Sequence, residues 1–415
     1  MQPTIHSTMT QTARRLIATA ALVLTGITTA HAGWWQETFF EGFDAPLDTS
    51  KWYIYDSVGH AGNGLRKPSA VTVSDSMLNI TAKMVNGQLV SGGIATTQNF
   101  QYGRFEFRVR TLQTADDRTS GVVLTWPISD NWPAEGENDI YETMTDGDRP
   151  HFETNIHYLD ATSTHHAWKR TYPAAPAWQW WTVAMDWTPD SIKIYRKQEN
   201  APFRPDELPI AVLDDPSRVP DYLHRLCIQL DAYYPTMTGE ALMQVAWARV
   251  YQWNPNATPP SIQPPAIVDG GIYRISPYLA THRCLEVPLD QYADGTGLVN
   301  YDYYDLLNQL WLITDDGGGY WRFSPLSSPD KALDVNGGAS ADGTKVQIWT
   351  HNTSSAQRWK IYHTGGGWFQ FKPQCAPSSV LSLKLGNTAN NNPYYLWTDH
   401  DTDPQYFHMQ LFGVE

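Results

Sequence analysis

Three copies of one pattern follow each other without a gap in the C-terminal part of the chain. Tyr273, Trp321 and Phe369 stand in one column, and Leu285, Leu333 and Leu381 in another. Gln309, Gln357 and Gln405 form a third, followed two residues on by Trp311, Trp359 and Phe407, and the spacing is 48 residues throughout. A turn-rich unit of that length buries too little apolar surface to fold alone. The copies must therefore share a core, and three of them imply a threefold β assembly. Gly317–Gly319 and Gly365–Gly367 mark turns at the repeat junctions.

A proline-rich stretch, Asn254–Pro265, separates this part from what precedes it and reads as an extended, semi-rigid linker. Upstream, Leu78–Ala82, Gly103–Arg110 and Gln244–Tyr251 alternate apolar and polar residues with period two, which sets one face of a strand on a core. No long segment keeps a 3.6-residue period, so an antiparallel β-sandwich of about 220 residues is expected before the linker. At the other end, Arg14 and Arg15 precede an apolar run and Ala30-His31-Ala32 offers a cleavage site. Residues 1–32 thus read as a secretory signal peptide, the paired arginines leaving a twin-arginine route open. The expected organisation is leader 1–32, sandwich 33–256, linker 257–267 and threefold domain 268–415, secreted to the extracellular space as a soluble monomer.

The formal charge is −14, or −16 once the two leader arginines are gone. That argues against nucleic acid and anionic membranes as partners, and against heavily sulfated or carboxylated polymers as substrates. Eighteen Trp and 22 Tyr point to neutral sugars, whose C–H faces stack on aromatic rings, although β-cores also consume aromatics. Cys227 lies in an apolar alternation and reads as a buried thiol, and Cys284 and Cys375 are left as one candidate disulfide pair. No Cys/His spacing suggests a zinc site.

Chemistry concentrates in Glu137-Asn138-Asp139-Ile140-Tyr141-Glu142. Three carboxylates so close raise at least one pKa by repulsion, and one protonated acid beside one ionised carboxylate is what glycoside hydrolysis needs. A solvated acidic turn or a cation site is the bland alternative. In a strand, Glu137 and Asp139 share a face whereas Glu142 would point the other way, so all three could meet in one site only through a β-bulge near Ile140–Tyr141.

Trp132–Glu142 resembles the active-site strand of glycoside hydrolase family 16, whose pattern is Glu-x-Asp-x-x-Glu. Phe43-Asp44, Leu47-Asp48, Ser91–Ile94, Tyr102–Glu106, Asn155–Tyr158, Asp186–Ile192 and Ala248–Gln252 follow that family's order. The resemblance spans 36–253 and implies a β-jelly-roll with a concave sugar-binding face. By position it makes Glu137 the nucleophile, Glu142 the general acid/base and Asp139 the group tuning the proton between them. Trp126 and Trp132 become candidate stacking platforms, His157 a shaper of the proton-donor side, and His60, Asn63 and Arg66 candidate subsite residues. Asn138 departs from the pattern, being polar where an apolar residue is usual. Arg196–Asn200 departs too, replacing the family's Asp-Gly turn.

The C-terminal columns resemble the ricin-type β-trefoil lectins, or family 13 carbohydrate-binding modules, through the Gln-x-Trp triplets Gln309–Trp311 and Gln357–Trp359 and the degenerate Gln405–Phe407. The middle repeat keeps the sugar-binding set best, as Asp334, Gln347, Trp349 and Asn352. The first holds Glu286, Val299, Tyr301 and Tyr304. In the third, Ser382 replaces the carboxylate beside Tyr395, Trp397 and His400.

Together these imply an all-β chain, a jelly-roll sandwich followed by a β-trefoil with three 48-residue repeats. The expected activity is a retaining endo-β-glycosidase acting on β-1,3 or mixed β-1,3/1,4-glucan. It requires no cofactor, and a structural calcium is consistent with the resemblance. The alternatives are the same mechanism on a β-galactan of agar or β-1,3-galactan type, and a two-domain lectin without turnover.

Overall fold

The computed structural model describes residues 33–205, 207–257, 266–289, 291–365 and 367–414, and all its regular structure is strand apart from single 3₁₀ turns. The expected leader and the prolines from Pro259 to Pro265 lie outside the described residues. No helix among the described residues is long and apolar enough to cross a membrane.

The N-terminal domain is a sandwich of two sheets, antiparallel except where Leu65–Arg66 runs parallel to Gln88–Thr96. Seven strands make the sheet that carries the carboxylates: β1 (Trp52–Ile54), β2 (Gln88–Thr96), β3 (Thr119–Pro127), β4 (Glu137–Glu142), β5 (Glu153–Leu159), β6 (His165–Thr171) and β7 (His224–Ala232). Their order across the sheet is β6-β5-β4-β3-β7-β2-β1. The second sheet is organised by the long strand Glu240–Asn254, which pairs with Trp34–Glu41, Met77–Val85 and Gly103–Thr111. Period-two alternation puts Phe105, Phe107 and Val109 from that sheet against Val123, Ile156, Ile228 and Leu230 from the first, all of them buried.

The C-terminal domain is a β-trefoil. Six strands close a barrel, Gly271–Pro277, Trp311–Asp315, Trp321–Pro325, Trp359–Gly365, Trp368–Pro373 and Phe407–Val414. Hairpins beginning at Arg283, Lys331 and Ser379 cap it. The buried glutamines act as internal staples. Gln309, Gln357 and Gln405 each accept a backbone N–H, from Tyr304, Asn352 and His400, and donate to the carbonyls of Asp302, Thr350 and Thr398. Trp311 and Trp359 donate their indole N–H to Leu285 O and Leu333 O, a bond that Phe407 cannot make.

The lobes are also tied to one another in a ring. Asp294 accepts the Thr350 N–H, Asp342 accepts the Thr398 N–H, and Asn390 accepts the Asp302 N–H, so that each lobe caps the next and the third caps the first. Gly295 and Gly343, which follow two of these residues, sit at φ 86° and 80°, a turn conformation that a side chain strains, and Asn391 takes the third such place at 65°.

The two domains share packing. Cys284, Tyr303 and Leu310 of the first lobe belong to the apolar core of the sandwich. Arg274, fully buried, donates to Pro209 O at 3.2 Å and lies 4.2 Å over the Tyr303 ring. Arg196, between the rings of Trp181 and Tyr172, pairs with Asp305 at 2.8 Å, and Arg170 reaches the Tyr304 hydroxyl at 3.5 Å. All three cysteines are free, so the candidate Cys284–Cys375 disulfide is corrected: Cys284 is instead buried, its thiol donating to Tyr301 O.

Candidate active site

The carboxylate strand β4 runs between β3 and β5 and slips register after Asp139 on both sides. Ile140 and Tyr141 consequently both point into the core, consecutive residues on one side, and Tyr141 is fixed there by hydrogen bonds to Thr111 and Ala177. This bulge brings Glu142 back to the face of Glu137 and Asp139. Gly136 introduces the strand at φ 77°, where a Cβ would come within 2.6 Å of Pro220, so only glycine allows the approach.

The three carboxyls open into a groove of about 800 Å³ across the concave sheet. Its floor is laid by alternate residues of each strand: Val122, Leu124 and Trp126; Asn155 and His157; Arg225, Cys227, Gln229 and Asp231. Tyr55 packs against Gly93, whose missing side chain makes room for the ring. Cys227 is buried and its thiol is pushed up to about 12 by burial, which leaves it inert.

Glu142 accepts from the Asn155 amide at 2.7 Å through Oε2 and from the Tyr233 hydroxyl at 3.1 Å through Oε1. Its pKa is raised by burial, and the two donors pull the other way. Burial raises Glu137 as well, with the Asp139 charge adding to it, and Asp139 is raised by burial and by the charge of Glu142. Atoms of Glu137, Asp139 and His157 lie within 4.8 Å of one another. Such closeness lets Glu137 and Asp139 share one proton; it would also suit a cation, but acids in a cluster do not by themselves make a metal site. His157 places Nε2 3.2 Å from Asp139 Oδ2 and Nδ1 2.9 Å from His165 Nε2, extending the proton path to the groove edge.

Beneath the strand, Asn138 is fully buried and finds polar company: its amide donates to Thr125 Oγ1 at 2.8 Å, and Thr125 meets His224 Nδ1 at 2.9 Å. Burial depresses His224 to about 4, so it stays neutral in that chain.

Trp126, Trp132, His157, His60 and Arg66 all line the groove. Trp132 is 41 % exposed, whereas Trp126 is tied by its indole N–H to Asp130. Arg66 spends its charge on buried Asp231. Asn63 is the correction: it does not line the wall and its amide donates to Tyr233 O at 3.1 Å. In the trefoil, Trp349 is 40 % exposed and Asn352 is exposed, but Asp334 and Gln347 are buried. Asp334 has each oxygen taken, by the amides of Gln347 and Gln357.

Asn155, Gln229, Asp231, Tyr53, Tyr55 and Tyr233 join the groove without having been singled out from the sequence. For three of them the signal was there. Asn155 stands two residues from His157, and Gln229 and Asp231 continue the face of Cys227. Tyr233 had none.

Residues 61–200 match the profile of glycosyl hydrolases family 16, and residues 265–349 and 331–397 match that of the ricin-type beta-trefoil lectin domain-like family. Among solved structures, the catalytic domain LamAcat from Zobellia galactanivorans is 19 % identical over 52 % of this chain and 97 % of its own, with a TM-score of 0.43. A designed threefold-symmetric protein, ThreeFoil, is 23 % identical over 35 % of this chain and 99 % of its own, at 0.33. The GlcNAcα1-4Gal-releasing endo-β-galactosidase from Clostridium perfringens is 14 % identical over 91 % of this chain and 97 % of its own, at 0.42. No curated protein matches the chain.

Proposed function

Since the chain joins a glycosyl hydrolase family 16 domain to a ricin-type β-trefoil, we propose that it is an exported enzyme cleaving internal β-1,3 or mixed β-1,3/1,4 linkages of a neutral glucan with retention. The observation carrying the chemistry is the bulged strand, which gathers Glu137, Asp139 and Glu142 on the floor of an aromatic groove. Glu142, kept protonated by burial, gives its proton to the leaving oxygen while Glu137 attacks C1. Glu137 and Asp139 share one proton, and attack proceeds from the arrangement in which Asp139 carries it and Glu137 is ionised. In the second step Glu142, now ionised, takes a proton from water, which attacks C1 and expels Glu137. No cofactor enters this chemistry.

A neutral polymer is favoured by the net charge of −14 and by the rings of Tyr53, Tyr55, Trp126 and Trp132 along the groove. The trefoil would hold the enzyme on polymer and raise its local concentration. Trp349→Ala is expected to weaken retention on an insoluble polymer by roughly tenfold, about 1.4 kcal/mol, in a pull-down titration. Export rests on the Arg14–Ala32 leader.

The deciding test is release of reducing ends from laminarin, lichenan, agarose, β-1,3-galactan and xylan by the full chain, with Glu137→Gln as the blank. Release from laminarin or lichenan that vanishes in the blank is the expected result. Release confined to a galactan would keep the mechanism and overturn the substrate. Binding without release from any polymer would sink the enzyme and leave a lectin.

A further inference from the structure

Glu142 is gripped by a residue outside the regular strands of its sheet. Tyr233 lies just beyond the end of β7, its backbone N–H donating to Arg118 O at 2.9 Å. Its hydroxyl donates to Glu142 Oε1 at 3.1 Å, its carbonyl accepts from the Asn63 amide, and its ring lies 4.5 Å from the His60 imidazole at 30°. The turn that supplies His60 and Asn63 is itself closed, with Gly59 N–H donating to Gly64 O and Asn63 N–H to His60 O. A Cβ on Gly59 would stand 1.9 Å from Asn63 O, so the closure needs glycine there. Arg66, at the end of the same segment, anchors Asp231, which also accepts from the Gln229 amide. Two residues of the segment therefore hold Tyr233 and a third holds the strand end from which Tyr233 emerges.

We propose that Tyr233 is a positioning residue for Glu142, and that the His60–Asn63 turn exists to hold Tyr233 rather than to bind sugar. The inference rests on the reading of Glu142 as acid/base. A hydroxyl donated to a carboxylate fixes its rotamer and favours the ionised form, which Glu142 must reach to act as base in the second step. Other charged and titratable groups face Glu142: Asp139 and Glu137 from its own strand, Glu153 and His157 from β5, Lys169 from β6 through its pair with Glu153, and Asp231 with Arg66 from the β7 side. Tyr233→Phe removes one hydroxyl and none of these charges, so the effect of Tyr233 can be read separately.

The experiment is a carboxyl ¹³C NMR titration of the Glu-labelled full chain as wild type, Tyr233→Phe and Asn63→Ala, with Glu142→Gln identifying the resonance. The pH dependence of kcat and KM is measured alongside on the best polymer. Tyr233→Phe loses a donor to the charged form. The Glu142 titration and the alkaline limb of kcat/KM are therefore expected to move up by about 0.5–1 pH unit. Over the same change kcat falls roughly tenfold and KM stays within about twofold. Asn63→Ala, which touches neither carboxylate nor groove, shifts both in the same direction by less, and carries the test alone should Tyr233→Phe not fold. An unmoved titration in both variants overturns the proposal. So does a raised KM with an unmoved limb in Asn63→Ala, which would make the turn a subsite wall. A shifted Glu142 titration in a protein that cleaves no polymer keeps the positioning role and removes the enzyme reading instead.

Discussion

Glu142→Ala lowers kcat on an unactivated polysaccharide by about 10²–10⁴-fold, and azide restores turnover on a substrate with a good leaving group. The restored product identifies the residue. With Glu142 gone, azide enters the second step on the face that water uses and gives the β-glycosyl azide. With Glu137→Ala, azide replaces the nucleophile in a single displacement and gives the α-azide. The reverse pairing of products would exchange the two roles. Glu137→Gln also has a stability signature with a definite sign. Burial and the Asp139 charge raise the folded-state pKa of Glu137 above its ordinary 4.5, so wild type loses stability as pH rises from about that value towards the raised one. The amide does not titrate. The Tm of Glu137→Gln is therefore expected to exceed that of wild type by an amount that grows between pH 5 and 8, and a gap that stays flat would show that the repulsion is not stored in the fold.

Asp305→Ala leaves the Arg196 guanidinium buried without its carboxylate. The expected loss is about 3 kcal/mol, at the low end for a broken buried pair because Asp305 is itself 18 % exposed. The consequence for unfolding is larger than the number. Tyr303, Cys284 and Leu310 lie in the core of the sandwich, so wild type should melt in one calorimetric transition, whereas the variant should show two. Turnover on a short soluble oligosaccharide should stay within about twofold, since Asp305 is outside the groove. Two transitions already present in wild type would mean that the domains fold independently despite the shared packing.

Both features were unevenly legible in the sequence. Once the family resemblance set Glu142 in one site with Glu137, the spacing called for a bulge after Asp139, because the period of a strand is two and five positions separate the pair. Shared burial was legible in the repeated columns, since residues that recur at one place in each copy must face one centre. The grip on Glu142 was not: Tyr233 is 91 positions away from it, and Asn63 is 170 positions away from Tyr233. Local pattern carries no trace of a hydrogen bond closed by the whole sandwich. The departure at Arg196–Asn200 is instructive in another way. It stood out against the family pattern, yet its meaning lay in a partner surface, Asp305, that belongs to the next domain. Likewise three cysteines invite a pairing, but a thiol can equally serve as a small apolar group, as Cys284 does in the shared core.

The ring of caps around the trefoil has a consequence for synthesis. Asp302, whose neighbours Tyr303 and Asp305 meet the sandwich, receives its cap from Asn390, and the first barrel strand, Gly271–Pro277, completes its pairing only with the last, Phe407–Val414. While the chain is emerging from the ribosome, the docking lobe is made early and finished last. A transcript cut short after the second lobe would therefore yield something other than an enzyme with fewer anchors. It would leave an open barrel edge and an unsealed joint to the sandwich, the kind of product that quality control removes.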